Sequence, residues 1–464
     1  MKALVIDDEP GVRRFVAEVL REEGWDVTSA ESAEQAFEML SEHDWAVVFC
    51  DVQLGGADGF SVLRRFKEEM PPTKVVLMTG HGSASGALDA TSFGAYDYLL
   101  KPFGPHELEL LSQALRQQLL TQPSRRLRAV HGASIETDLG LIGRSEAFIE
   151  VMKQLGRVAA TNLPVLLTGE SGTGKEVVAS ALHSRSSRAK QPFIPVNCGA
   201  ISAELIESEL FGHVKGSFTG ADRDRPGLWE EADRGTVFLD EITETTPAFQ
   251  VKLLRALQQG EIRRVGSNHT QRVDVRVIAA SNRNVEEEVQ AGRFRKDLFY
   301  RLNAVSIVLP PLRERKEDIL LLAKSFAERV YSLRPHVKFS VEALRVLEQY
   351  SWPGNIRELE NAIVRAAAIC DGTIRVKDLP ERVQKISESV VDSGSAGPAA
   401  PVAQEWTSLS LVEGRYVEKV LKHTGGNKQA AARLLQVDRK TLDRMIKRHK
   451  IAVTTRAEVL SQAG

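Results

Sequence analysis

Short β-branched apolar runs alternate with stretches of helical apolar spacing over the first 119 or so residues. The runs are ALVI (3–6), DVTSA (26–30), WAVVFC (45–50), KVVLMT (74–79) and YDYLL (96–100). Five strands separated by helices predict a doubly wound parallel sheet. The polar stretch TQPSRRLRAVHGAS (121–134) interrupts this pattern and reads as a linker, so a boundary is expected at 120–138. A second α/β block follows over 139–385, with apolar runs in PVLLTG, PFIPVN, TVFLDE and RVIAAS and a helical pattern from about 313. SESVVDSGSAGPAAPVAQ (387–404) is rich in small residues and proline, the composition of a flexible tether at 386–404. The remainder, 405–464, carries helical periodicity only. The expectation is a multidomain α/β chain that ends in a small all-α domain.

Composition narrows the class without naming a function. A length of 464 residues fits about three domains. Hydrophobic content of 42% and charged content of 27% are those of an ordinary globular protein. The three cysteines, Cys50, Cys198 and Cys370, are far apart and lack metal-ligand spacing. That argues against disulfides or zinc and for a reducing compartment. The opening MKALVIDDEP is too short an apolar run for a signal peptide or a membrane span, and no later run is long enough. A cytoplasmic protein with no membrane partner is expected.

In an open parallel sheet, ligands gather at the carboxyl ends of the strands. Asp7 and Asp8 follow the first run, Asp51 ends the third, Thr79 the fourth and Lys101 the fifth. Three carboxylates together repel one another and suit a hard divalent cation, Mg²⁺, with oxygen ligands. A hydroxyl and an ammonium beside them could hold phosphoryl oxygens, which suits nucleophilic attack by Asp51 on a phosphodonor. Tyr98, three residues before Lys101, reads by itself as a half-buried strand tyrosine.

The second block carries LLTGESGTGKE (166–176) after an apolar strand. Gly169, Gly172 and Gly174 free the backbone to wrap phosphates, and the following helix N-terminus attracts anions. Lys175 would reach the β- and γ-phosphates of ATP, with Glu170, Ser171 and Thr173 completing the loop. Position 176, where a hydroxyl usually serves Mg²⁺, is Glu176, so the metal must be held mainly elsewhere. The strand TVFLDE ends in Asp240, a candidate metal ligand, and Glu241, a candidate general base for the attacking water. Further on, KGSFTGA places Phe218 between small residues in a glycine-punctuated loop. A core aromatic does not belong there, which points to contact with a partner.

Charge is balanced over the chain but not within it. Arg415 to Lys450 holds eleven Lys/Arg against three Asp/Glu, 11 − 3 = +8, a footprint for a phosphate backbone. NKQAAARLLQ and RKTLDRMIKRHK read as two helices around a short turn, a helix-turn-helix whose last helix would enter the major groove of DNA.

These motifs carry a resemblance. The first segment resembles a response-regulator receiver domain of flavodoxin-like fold. That implies Asp51 as phosphoacceptor, Asp7 and Asp8 as the Mg²⁺ pocket, Thr79 and Lys101 as phosphate sensors, Tyr98 as switch aromatic and Pro102 as the cis-peptide partner of Lys101. Residues 139–383 resemble the AAA+ P-loop ATPase domain, with its helical lid, of bacterial enhancer-binding proteins of the NtrC type. The matches are GESGTGKE, FIPVNCGAI, ELFGHVKGSFTGA, GTVFLDEI, FRKDLFYRLN and WPGNIRELEN. The resemblance implies that Asn197 restrains Glu241 and that Asn282 and Arg357 are the first and second nucleotide sensors. It also implies that Arg295 and Arg301 are fingers reaching the neighbouring subunit's ATP.

Such a site requires a homo-oligomer, from dimer to hexameric or heptameric ring. Gly216, Ser217, Phe218, Thr219, Gly220 and Ala221 would be the contact loop for sigma-54 RNA polymerase, with Ser217 where the family has alanine. The C-terminal helices resemble a Fis-type domain, with Arg439, Lys440, Thr441, Arg444 and Arg448 as DNA contacts; Gln436 stands where the family has glycine in the turn. The implied function is a two-component regulator, phosphorylated by a sensor histidine kinase, that binds upstream enhancer DNA and uses ATP hydrolysis to activate sigma-54 polymerase. A DNA-bound regulator with a receiver and ATPase that no longer engages sigma-54 is the alternative, and the 216–221 loop discriminates the two.

Overall fold

The computed structural model describes residues 1–40, 43–121, 140–202, 205–218, 221–330 and 337–385, helices at 428–434 and 439–448, and a few single positions near them. The chain divides into two compact units, Met1–Val390 and Val391–Gly464. Most of 120–138 and all of 386–404, where linkers are expected, lie outside the described residues.

The first unit opens with β1 (Lys2–Ile6), α1 (Pro10–Glu22), β2 (Asp26–Ala30), α2 (Ala33–Glu38), β3 (Trp45–Asp51), α3 (Gly59–Glu69), β4 (Lys74–Thr79), α4 (Ala84–Ser92), β5 (Asp97–Leu100) and α5 (Pro105–Thr121). All five strands are parallel in the order β2-β1-β3-β4-β5. Order reverses at β1, so the crevice for a ligand lies outside the carboxyl ends of β1 and β3. The strands are apolar on both faces because helices cover both. Val5, Val47, Phe49 and Met78 pack under α1 and α5, while Leu4, Val48, Cys50 and Leu77 pack on the opposite side. Ser32, Asp58 and Ser83 cap α2, α3 and α4 by accepting backbone amides.

The second α/β block runs through α6 (Glu146–Ala159), β6 (Val165–Thr168), α7 (Lys175–Ser184), β7 (Phe193–Asn197), α8 (Ile206–Phe211), α9 (Leu228–Glu231), β8 (Thr236–Asp240) and α10 (Pro247–Gln259). After the hairpin β9 (Glu261–Arg263) and β10 (Thr270–Arg272) come β11 (Arg276–Ser281), α11 (Val285–Gln290), α12 (Lys296–Leu302) and β12 (Val305–Val308). Its parallel sheet has the order β12-β6-β11-β8-β7. The carboxyl ends of β6, β11 and β8 are therefore neighbours. A helical lid follows: α13 (Lys316–Val330), β13 (Lys338–Phe339), α14 (Val341–Gln349), α15 (Asn355–Ile369) and β14 (Thr373–Ile374). It has its own core around Phe326, Leu347, Trp352 and Ile363.

The two α/β blocks of this unit are packed together. Helix α4 lies along α6, and a Cβ on Gly156 would run into the Thr91 hydroxyl and the Leu88 carbonyl. The amide of Ala84 donates to Gly143 O at 2.9 Å. Arg185 Nε pairs with Asp89 Oδ1 at 2.6 Å while its Nη2 donates to Ser85 at 3.1 Å, and Lys153 pairs with Asp97 at 2.7 Å.

In the second unit, α16 (Lys428–Leu434) and α17 (Arg439–Arg448) pack through Ala431, Ala432, Leu442 and Ile446. The alanines of α16 allow the close approach that their small volume predicts. Lys428 Nζ reaches Asp443 Oδ1 on α17 at 2.9 Å.

Candidate functional site

The receiver pocket forms where the strand ends predict it. Asp7 and Asp51 are buried and Asp8 is exposed, and one oxygen from each lies within 4.8 Å of the others. Three hard carboxylate oxygens this close fit a divalent cation such as Mg²⁺. Lys101 Nζ donates to Asp7 Oδ2 at 2.6 Å and to Asp51 Oδ2 at 2.5 Å. Burial pushes the Asp7 carboxyl up, against the opposing pull of Lys101. Burial works against the Lys101 ammonium, but its hydrogen bonds to Asp51 and Asp7 outweigh this and hold it above the usual lysine range. The Lys101–Pro102 peptide is cis. Thr79 is buried at the end of β4, with its hydroxyl accepting the amide of His81 at 3.1 Å. Tyr98 is 2% exposed, and its hydroxyl lies against Gly86 of α4. Burial pushes its phenol up.

The phosphate loop links β6 to α7. Its backbone turns left-handed at Gly172 (φ +77°) and Gly174 (φ +95°). A side chain at Gly172 would strike the Gly354 carbonyl of the lid. Lys175 Nζ donates to Gly169 O at 2.8 Å and Glu170 O at 2.9 Å, so it lies folded along the loop. Burial holds its ammonium below the ordinary lysine value, opposed by the charges of Asp240 and Glu241. Asp240 ends β8 and accepts the amide of Glu241 at 2.9 Å. Glu241 has a left-handed backbone (φ +55°) that turns its carboxylate against Gly199. Beside it, Glu241, Glu244, Cys198 and Ile206 help line a cavity of about 260 Å³. A second cavity, about 390 Å³, lies between the loop residues Gly169 and Glu170 and Val151, Leu309 and Pro310.

Asn197 ends β7 opposite Asp240 in register. Its Oδ1 accepts the amides of Gly199 (2.9 Å) and Ala200 (3.0 Å), and no bond to Glu241 is made among the described residues. Asn282 is exposed just past β11, between the ends of β6 and β8. Arg357 on α15 brings Nη1 to 3.5 Å from Ser171 Oγ. Glu176 occupies the first turn of α7. Arg295 and Arg301 do not turn toward their own phosphate loop. Arg295 forks onto Asp297 at 3.0 and 2.7 Å, and Arg301 donates twice to Leu257 O.

Two lid residues that motif reading passed over grip the loop. Arg313 pairs with both Glu170 oxygens at 2.9 and 2.7 Å. Asn355 reaches Glu170 and Ser171. Asn355 lies within the WPGNIRELEN match, whereas Arg313 lies in none of the matched stretches.

The 216–221 loop is less free than its composition suggests. Gly216 N donates to Ala221 O at 2.9 Å, and Lys215 N to Asp224 Oδ1 at 2.7 Å, closing its base. Phe218 is 38% exposed and rests edge-on against His213, centroids 5.1 Å apart. The Ser217 hydroxyl is buried without a partner among the described residues, and its Cβ lies against Gly266 of the β9–β10 turn. Thr219 and Gly220 lie outside the described residues. On α17, Lys440, Arg444 and Arg448 are exposed and Thr441 is half-buried. The side chain of Arg439 and all of Gln436 lie outside the described residues.

A phosphoacceptor pocket, a P-loop ATPase and a basic helix pair on one chain define a transcription regulator driven by ATP. Comparison with known proteins agrees over the full length. Residues 3–113 match the response regulator receiver domain, 141–308 the Sigma-54 interaction domain, 313–395 the AAA+ ATPase lid domain and 408–449 the bacterial regulatory protein, Fis family.

The chain is 43% identical over 446 residues to the transcriptional regulatory protein ZraR of Escherichia coli (strain K12), covering 95% of this chain and 97% of that protein. It is 39% identical over 448 residues to the regulatory protein AtoC of the same organism, covering 95% and 96%. Among solved structures it is similar to NtrX from Brucella abortus in complex with ATP, 31% identical over 97% of this chain and 99% of that one, TM-score 0.49. The chain belongs to the NtrC family of sigma-54-dependent response regulators, and its central domain is an AAA+ ATPase. No described helix is long and apolar enough to cross a membrane.

Proposed function

We propose that this cytoplasmic regulator takes a phosphoryl group on Asp51 from a sensor histidine kinase and answers by assembling an ATPase ring at upstream DNA. Asp51 Oδ attacks phosphorus, the bond to the donor imidazole breaks, and that imidazole takes up a proton. Mg²⁺ held by Asp7, Asp8 and Asp51 supplies neutralisation of the transferring phosphoryl group. Lys101 and Thr79 hold its oxygens, and Tyr98, buried against Gly86 of α4, reads the result.

The observation that carries this reading is the docking of α4 on α6. The helix behind Thr79 and Tyr98 is the one buried on the ATPase, so a change at Asp51 has a direct route to it. The docked state holds the ATPase apart from its partners, and phosphorylation relieves it. Released blocks form a hexamer or heptamer in which Arg295 and Arg301 exchange their own-chain partners for the next subunit's ATP. The cavity beside Gly169 takes the base of ATP. Lys175, Asn282 and Arg357 read its phosphates, Asp240 would hold the Mg²⁺, and Glu241, whose carboxylate lies against Gly199, takes a proton from the attacking water. Water oxygen bonds to the γ-phosphorus as the bond to ADP breaks.

Phe218 and Thr219, on the 216–221 loop, engage sigma-54 polymerase, and Arg439, Lys440, Thr441, Arg444 and Arg448 hold the enhancer. The proposed domains are 1–119, 139–385 and 405–464, joined by the linkers 120–138 and 386–404.

Transcription in vitro tests this. Protein treated with acetyl phosphate and ATP should give open complexes at a sigma-54 promoter with upstream sites. The Asp51→Asn variant should carry no acid-labile phosphate and give none. Open complexes from a sigma-70 promoter alone would sink the reading.

A further inference from the structure

Asn355, the first residue of α15, is completely buried at 0% exposure. Its backbone is left-handed (φ +53°), a conformation that asparagine tolerates better than most side chains. Its amide joins three segments. Oδ1 accepts the amide of Leu312 at 2.7 Å, in the segment that leads into the lid. Nδ2 donates to Ser171 O at 3.0 Å and to Glu170 Oε2 at 3.1 Å, both in the phosphate loop.

The surroundings are shaped for this tie. Ile356 N donates to Gly172 O at 2.9 Å, and Gly172 lacks the Cβ that would strike Gly354 O. Arg313 holds Glu170 as well, so the carboxylate is shared between two lid residues. Together they hold the Glu170 carboxyl below its ordinary value, Arg313 first and Asn355 second. Two residues beyond Asn355, Arg357 points at Ser171.

We propose that Asn355 is a positioning residue for ATP hydrolysis, fixing the phosphate loop and the lid arginine Arg357 in one register. It acts through Glu170 and Ser171 rather than on phosphate. An irregular loop must hold its amides toward the ligand, and the glycines that give it shape leave it without rigidity. One buried amide supplies that rigidity from the lid. Asparagine is specified on both counts. Aspartate would set a second carboxylate against Glu170 and a lone pair against Ser171 O.

The test uses the full-length protein, with affinity for a fluorescent ATP analogue, steady-state ATP turnover and amide hydrogen exchange as readouts. Asn355→Gly keeps the left-handed backbone and removes the amide. It should weaken nucleotide binding and raise KM roughly tenfold, with kcat reduced less than KM is raised. Exchange should accelerate at 169–174 and stay unchanged in β6 and α13. Asn355→Asp should bind more weakly still, and the double variant Glu170→Gln/Asn355→Asp should recover part of that loss, because the Gln amide can donate to the new carboxylate.

Unchanged affinity and loop exchange in Asn355→Gly would overturn the proposal, and so would a double variant no better than Asn355→Asp. If Asn355→Gly does not fold, Glu170→Gln carries the test from the loop side. About threefold weaker binding with faster exchange at 169–174 is then the expected result, since the charge-assisted fork from Arg313 is lost. No change in either overturns the assignment.

Discussion

Arg185 of the ATPase and Asp89 of receiver helix α4 meet at 2.6 Å, and both side chains are mostly buried. Among the described residues the pair is one of two ion pairs across this interface, with Lys153–Asp97, and between them Thr91 packs on Gly156. Removing one partner leaves the other charge buried and unpaired, which is costly. Arg185→Asp should therefore separate the blocks and raise ATP turnover of the unphosphorylated protein toward that of the phosphorylated form. Adding Asp89→Arg should restore the pair and the low basal rate. Turnover with and without acetyl phosphate measures both, and an unchanged basal rate in Arg185→Asp refutes a repressive contact.

Lys175 belongs to the loop that wraps the phosphates, while the DNA-binding helices fold as a separate unit. Lys175→Ala should abolish ATP turnover, by about a hundredfold or more, since electrostatic stabilisation of the transferred phosphoryl group is lost. Enhancer binding by gel shift should be unaltered. Undiminished hydrolysis would place the ATPase site elsewhere.

Ser217 presents a buried hydroxyl with no partner among the described residues. An unsatisfied buried polar group costs about 1–3 kcal/mol. Ser217→Ala should thus raise the thermal midpoint slightly and leave open-complex formation intact. Phe218→Ala removes the exposed aromatic and should abolish open complexes while leaving ATP turnover. Scanning calorimetry and the transcription assay separate the two effects, and a lower midpoint for Ser217→Ala would show that the hydroxyl is bonded.

Cys50 and Cys198 are buried, whereas Cys370 is half-exposed. Burial pushes the Cys198 thiol up to about 12, with Asp240 and Glu241 adding to the shift, and pushes Cys50 up as well. At pH 8 only roughly one Cys198 in ten thousand is thiolate, the reactive form. Brief iodoacetamide treatment of the native protein should modify Cys370 alone. Mass spectrometry reads this directly, and equal labelling of Cys198 would mean that its wall opens to solvent.

Much of the site was legible along the chain because catalysis here is tied to strand ends. Asp7, Asp51, Thr79 and Lys101 converge because parallel strands deliver their carboxyl termini to one edge. The same rule places Asp240 and Asn282 near the phosphate loop. Side-chain orientation was less legible. Asn197 Oδ1 is taken by the amides of Gly199 and Ala200, while the Glu241 carboxylate lies against Gly199 without bonding to Asn197. Phe218, legible as an exposed aromatic, leans on His213, a contact that local composition does not encode.

Local sequence alone determined three things about this protein: the two parallel sheets, the phosphate loop and the basic helix pair. Each follows from short-range rules: apolar periodicity, glycine freedom before a helix, and charge per turn. Tertiary structure decided what lies between them. Thr91 meets Gly156, Asp89 meets Arg185, and Asn355 meets Glu170 across 185 positions of chain. Such pairings depend on the packing of whole helices against one another, and no local pattern specifies which partner a buried amide or a missing Cβ will find.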